Sequence, residues 1–152
     1  MPLLQQLSLF LENQPGHMKL PCRALGEAGI DILAMSLADT KQFGILRLVV
    51  KDPARAREVL EKAGCVVTTT DVLAVDVPDR PGGLAGVLAS FEKAAIGIEY
   101  MYAFPAGERG KSAILVFRVE EPDAAATKLR AAGVQVLGRA EVFSLLHPGQ
   151  PG

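Results

Sequence analysis

Residues 9–16 read Leu-Phe-Leu-Glu-Asn-Gln-Pro-Gly, and residues 75–82 read Val-Asp-Val-Pro-Asp-Arg-Pro-Gly. The two stretches lie 66 positions apart, and the same shift relates residues 28–32 to residues 94–98. Later segments match at a shift of 69, which places a three-residue insertion around residues 105–111. Self-similarity at a fixed spacing indicates a duplicated structural unit.

Each copy is predicted to run strand, helix, strand, strand, helix, strand. Residues 6–12 alternate in apolar character, as a half-buried strand does, whereas the apolar residues between 84 and 91 recur at helical spacing. Pro53 and Pro122 are each placed at a helix start, where proline is favoured. A third copy of the first-strand pattern, residues 140–146, is expected to close the chain as a strand.

The order of these elements predicts the fold class. We expect an α+β protein built from two ferredoxin-like βαββαβ units, each an antiparallel sheet with its helices on one face. The first unit is expected to span residues 1–70 and the second residues 71–146, with residues 147–152 as a tail.

Composition excludes several classes of protein. The chain has 152 residues, 49% of them hydrophobic, and a formal net charge of -1. It can therefore bury a core, and it carries no general attraction for nucleic acid or anionic membrane. Two cysteines cannot form a disulfide scaffold. The first residues lack the basic region of a signal peptide, so a cytoplasmic location is expected.

The repeated turn is the most informative feature for function. In both copies a strand ends at Asn13 or Asp79, and Pro-Gly follows before a helix begins. The N-terminus of a helix offers unpaired N–H groups and a partial positive charge, which suit a carboxylate. A neighbouring Asn or Asp oxygen can accept from an ammonium group, so the pair would recognise a free amino acid. The alternative is that Asn13 and Asp79 cap the helices and that Pro-Gly only makes the turn.

With its duplication, these turns and the segment Ala-Gly-Ile-Asp-Ile at residues 28–32, the chain resembles ACT domains. Residues 35–40, 43–47 and 98–104 are similar to the stand-alone tandem ACT proteins of bacteria. The resemblance covers about residues 3–146. It implies a regulatory protein that binds an amino acid between ACT units, where the turn of one unit faces the second strand of its neighbour.

The resemblance assigns ligand contacts to both turns and to both second strands. The candidate residues are Asn13, Gln14, Pro15, Gly16, His17, Met18, Ser36, Leu37, Ala38, Asp79, Arg80, Pro81, Gly82, Gly83, Leu84, Tyr100, Met101 and Tyr102. No catalytic residue, metal ligand or cofactor is expected.

Two other functions compete with amino-acid binding. An enzyme would need a positioned acid–base or metal-binding set, and the chain has two histidines, one of them in the tail. A non-enzymatic protein is therefore expected. The second alternative is a ligand-free assembly or regulatory subunit that modulates an enzyme of amino-acid metabolism in trans. A homodimer is expected in either case, because sheet edges need to be covered.

Overall fold

The computed structural model describes residues 2–39, 42–106 and 112–146, with the backbone alone at residues 105 and 106. Most of the expected insertion and the expected tail at residues 147–152 lie outside the described residues. The chain divides into an N-terminal unit, Gln5–Thr70, and a C-terminal unit made of the described residues of 1–4 and 71–152.

The N-terminal unit follows the predicted order of elements. Its elements are β1 (Leu4–Glu12), α1 (Lys19–Glu27), β2 (Ala34–Asp39), β3 (Phe43–Val49), α2 (Pro53–Lys62) and the part of β4 (Val66–Pro78) up to Thr70. β3 pairs antiparallel with both β1 and β2, and the strand order is β2-β3-β1-β4. Leu9 lies opposite Leu46, and both are fully buried in the core of this unit with Leu25 and Leu60.

The C-terminal unit repeats this arrangement. After the rest of β4 come α3 (Gly83–Lys93), β5 (Tyr100–Ala106), β6 (Ser112–Arg118), α4 (Pro122–Ala131), β7 (Val136–Leu137) and α5 (Arg139–Leu146). The strand order is β7-β4-β6-β5, with every described pairing antiparallel. Phe91 of α3 packs on Phe117 of β6 with ring centroids 4.6 Å apart. The prediction of an α+β fold with two ferredoxin-like units is confirmed.

The prediction of a closing strand at residues 140–146 is wrong. This segment is helix α5, and the last strand of the unit is the two-residue β7 that precedes it. The Glu141 side chain accepts a hydrogen bond from the Gly138 N–H (3.1 Å), which satisfies a free donor at the helix start. A seven-residue apolar run has too little length for its period to distinguish a strand from a helix.

Glycines end three of the four repeat helices. Gly29, Gly64 and Gly133 adopt positive φ just after α1, α2 and α4, as a left-handed helix end requires. After α3 the corresponding residue is Ala95, with a φ of 56°. Within the described residues, no helix has the length and apolar character needed to cross a membrane.

Candidate functional site: two Pro-Gly turns and a cleft

The two Pro-Gly turns have the same backbone geometry. In the first, the Gln14 N–H donates to Glu12 O (2.8 Å) and the His17 N–H to Gln14 O (3.1 Å). In the second, the Arg80 N–H donates to Pro78 O (2.9 Å) and the Gly83 N–H to Arg80 O (3.0 Å). Gly16 and Gly82 adopt φ values of 82° and 85°, which glycine tolerates without strain. The duplication is therefore preserved at the level of individual hydrogen bonds.

Neither Asn13 nor Asp79 caps a helix. The residues at the N-cap positions are Met18 and Gly82, and neither helix receives a side-chain cap bond. Asn13 instead donates from Nδ2 to Oδ1 of Asp39 (3.0 Å). This bond ties the first turn to the end of β2 and leaves the Asn13 side-chain oxygen as an acceptor. The helix-capping alternative is therefore not what the structure shows.

Both turns present unused backbone donors. Among the described residues, no acceptor is found for the N–H groups of Gly16 and Met18 at the first turn or of Gly82 and Leu84 at the second. Gly16 and Gly82 are exposed, and an added Cβ at either would meet no atom within 4 Å. A ligand can therefore approach these donors closely, and the helix dipole favours an anionic one.

His17 adds a polar ring to the first turn. Its Nδ1 lies 2.7 Å from the carbonyl oxygen of Gln14, which can only accept, so Nδ1 carries the proton in this contact. The opposite nitrogen, Nε2, points toward Gly44 of β3, where an added Cβ would lie 3.5 Å from it. In the neutral ring, Nε2 is therefore an acceptor near the turn.

The second turn borders a cleft of about 580 Å³ within the C-terminal unit. Its walls come from the end of β4, the start of α3 and the loop before β7, and its polar lining includes Asp76, Arg80, Ser90, Ser112 and Gln135. The cleft lies at the edge of β4 that β7 leaves uncovered, because β7 pairs only with Ala74 and Val75.

Asp76 is one of the polar residues lining this cleft that the sequence prediction missed, together with Ser90, Ser112 and Gln135. Its Oδ1 is buried and has no hydrogen-bond donor among the described residues, while its backbone N–H donates to Gln135 O (3.1 Å). One feature of the sequence could have pointed to Asp76: it is the one charged residue between Leu73 and Pro78, in an otherwise apolar strand segment.

The corresponding cleft at the first turn is smaller. It has a volume of about 310 Å³, and its lining includes Glu12, Gly16, His17 and Leu20. The Glu12 carboxylate already accepts from Nε2 of Gln14 at 2.6 Å. Among the described residues, Glu12 is the one acid that lines this cleft, and its carboxylate has a partner within the turn.

The predicted site residues fall into separate groups. Gln14, Pro15, Gly16 and His17 line the first cleft, and Arg80, Pro81, Gly82 and Gly83 line the second. Asn13, Met18, Asp79 and Leu84 belong to the turns but do not line either cleft.

None of the second-strand candidates lines either cleft. Ser36, Leu37 and Ala38 are on β2, and Tyr100, Met101 and Tyr102 are on β5. Met101 lies opposite the buried Phe117, so Tyr100 and Tyr102 point to the other face of the sheet, as their alternation predicts.

Burial raises the pKa of the Cys65 thiol above its ordinary value of 9.0. At neutral pH this thiol is therefore protonated, and a neutral thiol is a weak nucleophile. Among the described residues, no group of three or more His, Cys, Asp and Glu side chains is placed to hold a metal ion.

Comparison with known proteins identifies the relatives of the chain. A sequence family described as an ACT domain pair matches residues 2–145. The solved structure of protein BT0572 from Bacteroides thetaiotaomicron is 33% identical, has a TM-score of 0.85, and the match covers 94% of this chain and 97% of that one. No curated protein matches the sequence.

More distant structures share the fold. The regulatory subunit of aspartate kinase from Thermus thermophilus, in its ligand-free form, is 19% identical with a TM-score of 0.61, over 86% of this chain and 91% of that one. The regulatory subunit of aspartate kinase from Thermus flavus is 21% identical with a TM-score of 0.60, over 88% and 92% of the two chains.

Proposed function

Because the chain belongs to the ACT-domain family, as a pair of ACT domains, we propose that it is a non-enzymatic regulatory protein that binds a free amino acid through the Pro-Gly turn of an ACT unit. The observation that carries the proposal is the set of backbone N–H groups at both turns for which the described residues provide no acceptor, each set beside an exposed glycine at positive φ. The α-carboxylate of an amino acid matches this arrangement in charge and size.

The ammonium group requires an acceptor a few ångströms from the carboxylate. The first turn offers the side-chain oxygen of Asn13 and, in the neutral ring, Nε2 of His17. The second turn has two carboxylates close by in sequence, Asp76 and Asp79. Each turn therefore combines donors for an anion with an acceptor for a cation, which is the minimal recognition element for a zwitterion.

The other candidates remain part of the proposal. Residues 36–38 and 100–102 are the second-strand positions that we expect an adjoining ACT unit to present to a bound amino acid. We expect the ligand to favour one conformation of the ACT pair, which changes the activity of a partner enzyme in the cytoplasm.

A thermal-shift screen of the twenty amino acids tests the proposal. A ligand at about 100 times its dissociation constant stabilises the folded state by about 2.7 kcal/mol, which raises the melting temperature measurably. Each amino acid that gives a shift is then compared with its carboxamide, which keeps the ammonium group and the side chain but has no carboxylate. We expect the carboxamide to lose the shift, because the turn N–H groups would have no anion to bind.

Two results would contradict the proposal. A flat response to all twenty amino acids would favour the alternative of a ligand-free assembly or regulatory subunit. A carboxamide as effective as its parent amino acid would show that the turns do not hold the carboxylate.

A further inference from the structure

A groove lies at the C-terminal end of α3, the end opposite the second Pro-Gly turn. It has a volume of about 350 Å³ and is formed by the segments after α3 and after β6 together with the start of α4. Its apolar lining comes from Ala95, Ile96, Ile98, Val119, Ala124 and Ala125, and its charged lining from Glu99, Glu120, Glu121 and Lys128. All of these residues belong to the C-terminal unit, and none of the predicted ligand-contact residues lines the groove.

The equivalent place in the N-terminal unit is occupied by an arginine side chain. Arg55 lies in the first turn of α2, and its Nη2 donates a hydrogen bond to the carbonyl oxygen of Ala28, the residue just after α1. A carbonyl group at the end of a helix has no partner within the helix and lies at the negative end of the helix dipole. The guanidinium group of Arg55 therefore supplies both a donor and a positive charge to the end of α1.

The C-terminal unit has the same backbone at this place but lacks the arginine. At shifts of 66 and 69 residues, Ala94 is equivalent to Ala28 and Ala124 is equivalent to Arg55. The backbone conformation after the helix is kept, with φ values of -83° at Ala94 and -84° at Ala28. Among the described residues, no donor reaches the carbonyl oxygen of Ala94. The groove is therefore open at the position where the first unit holds a guanidinium group.

The charges around the groove favour a cation. Three of the four charged residues that line it are acidic, and Glu120 replaces Lys51 of the N-terminal unit at the same shift. Glu99 is already in an ion pair with Arg118 (3.3 Å). Glu120 and Glu121 are exposed, and the described part of the chain provides no hydrogen-bond or ion-pair partner for either carboxylate. A cationic group in the groove would therefore meet two carboxylates that are available to pair with it.

We propose that the groove binds an arginine side chain of a partner protein, in the place that Arg55 fills in the N-terminal unit. The guanidinium group donates to the carbonyl oxygen of Ala94 and pairs with Glu120 and Glu121, while its aliphatic stem packs on the apolar lining. Arginine suits this groove better than lysine, because its planar group carries several donors and can reach a carbonyl and a carboxylate together. The inference goes beyond the proposed function, since it identifies a surface for a partner and not a site for the amino acid.

An NMR titration of the ¹⁵N-labelled full chain tests the docking. The probe is arginine blocked as the N-acetyl methylamide, so that it has no free ammonium or carboxylate group for an amino-acid site. We expect the amide signals of Ile96 and Gly97 to shift with a dissociation constant in the millimolar range, because one side chain is a small part of an interface. Blocked citrulline, which has nearly the same shape without the charge, should give no shift at the same concentration.

Two arginine substitutions form a matched pair of variants. Ala124 and Ala54 are both exposed in the first turn of a helix, but Ala124 lines the groove and Ala54 does not. Ala124→Arg should bring a guanidinium group to the Ala94 carbonyl oxygen from within the chain. We therefore expect it to abolish probe binding and to raise the melting temperature by about 2–4 °C, the shift that one net hydrogen bond gives a chain of this size. Ala54→Arg should bind the probe as the wild type does.

A third variant tests the acidic side of the groove without filling it. Glu120→Gln removes a charge from an exposed side chain, so the protein should fold normally, and the dissociation constant of the probe should rise about twofold to fivefold.

Four results would overturn the inference. They are equal shifts with blocked citrulline, probe binding retained in Ala124→Arg, no shift at Ile96 and Gly97 with tens of millimolar probe, and no effect of Glu120→Gln. Free arginine bound in the groove about tenfold or more tightly than the blocked probe would overturn the assignment to a protein side chain, because its ammonium or carboxylate group would then be recognised. The probe cannot act as an amino acid, so this inference can fail while the thermal-shift screen supports the proposed function.

Discussion

At the scale of single residues, Ala95 is a position where the two copies of the duplication share a backbone conformation but differ in residue type. It adopts a φ of 56° after α3, whereas the equivalent residue after α1 is Gly29, with a φ of 71°. A side chain in the left-handed region brings its Cβ close to the following carbonyl, which costs about 1–2 kcal/mol. Both units therefore have the left-handed backbone conformation at this position, but only the first unit has glycine there, which adopts it without strain.

We predict that Ala95→Gly stabilises the protein. The relief of strain exceeds the extra entropy that glycine gives to the unfolded chain, so the free energy of unfolding should rise by about 0.5–1 kcal/mol. Urea denaturation measures the change. The control is Ala94→Gly, because Ala94 has a φ of -83° and only the entropic cost applies there. A loss of stability in Ala95→Gly as large as in the control would contradict the argument.

The candidate site was predictable at this scale only in part. The turns were predicted because Asn or Asp followed by Pro-Gly specifies a local conformation, and local conformation depends on neighbouring residues. Asp76 was missed because the burial of its Oδ1 and its place in the cleft lining both arise from contacts distant in sequence. A sequence shows that a strand contains an aspartate but not whether a donor reaches it.

At the scale of elements, the repeat strands and helices were predicted and the C-terminal helix was not. Long periodic segments such as α3 contain enough residues to show their period. The segment that forms α5 is short, and only Val142 of it is buried, so its apolar pattern carries little information. Glu141 was the better sequence signal, because an acid three residues after the N-cap is typical of a capping box. In the structure its side chain accepts a hydrogen bond from the Gly138 N–H.

The helices α2 and α4 allow a matched test of helix capping. Their N-cap residues, Asp52 and Glu121, have nearly identical backbone angles, with φ values of -121° and -123°. The Asp52 side chain accepts from the Arg55 N–H (3.1 Å), whereas Glu121 makes no cap bond. We predict that Asp52→Ala lowers the free energy of unfolding by about 1 kcal/mol and that Glu121→Asp raises it by a similar amount.

Chemical denaturation of both variants measures these effects, and Glu121→Ala is the control. It should change stability by no more than about 0.5 kcal/mol, because no cap bond is lost. Equal destabilisation by Asp52→Ala and Glu121→Ala would show that the Asp52 cap contributes nothing specific.

At the scale of the whole molecule, the duplication made the fold predictable, because two copies in one chain act as an alignment of two sequences. Positions that are apolar in both copies, such as Leu9 with Val75 and Leu11 with Val77, are in the buried cores. Positions that differ, such as Phe10 with Asp76, could not be interpreted in this way.

We predict that the chain is a homodimer in solution. Phe10 and Phe43 are 50% and 47% exposed, and the β1–β3 register places them on the same face of the N-terminal sheet. Large apolar side chains grouped in this way are typical of an interface. Sedimentation equilibrium should give twice the chain mass of 16.1 kDa, and Phe10→Ser should shift the population toward the monomer. Val66→Ser, at a residue 65% exposed, is the control, and a monomeric wild type would contradict the prediction.

The alternation of side chains along strand β4 limits the insertions and deletions that this segment of the gene can tolerate. Four of its odd-numbered residues are in hydrophobic cores: Val67 is in that of the N-terminal unit, and Leu73, Val75 and Val77 are in that of the C-terminal unit. Inserting or deleting one residue near position 70 would turn Leu73, Val75 and Val77 to the opposite face of the strand, away from that core. We therefore expect homologous genes to tolerate length changes in their hairpin loops but to keep this thirteen-residue segment free of odd-length indels.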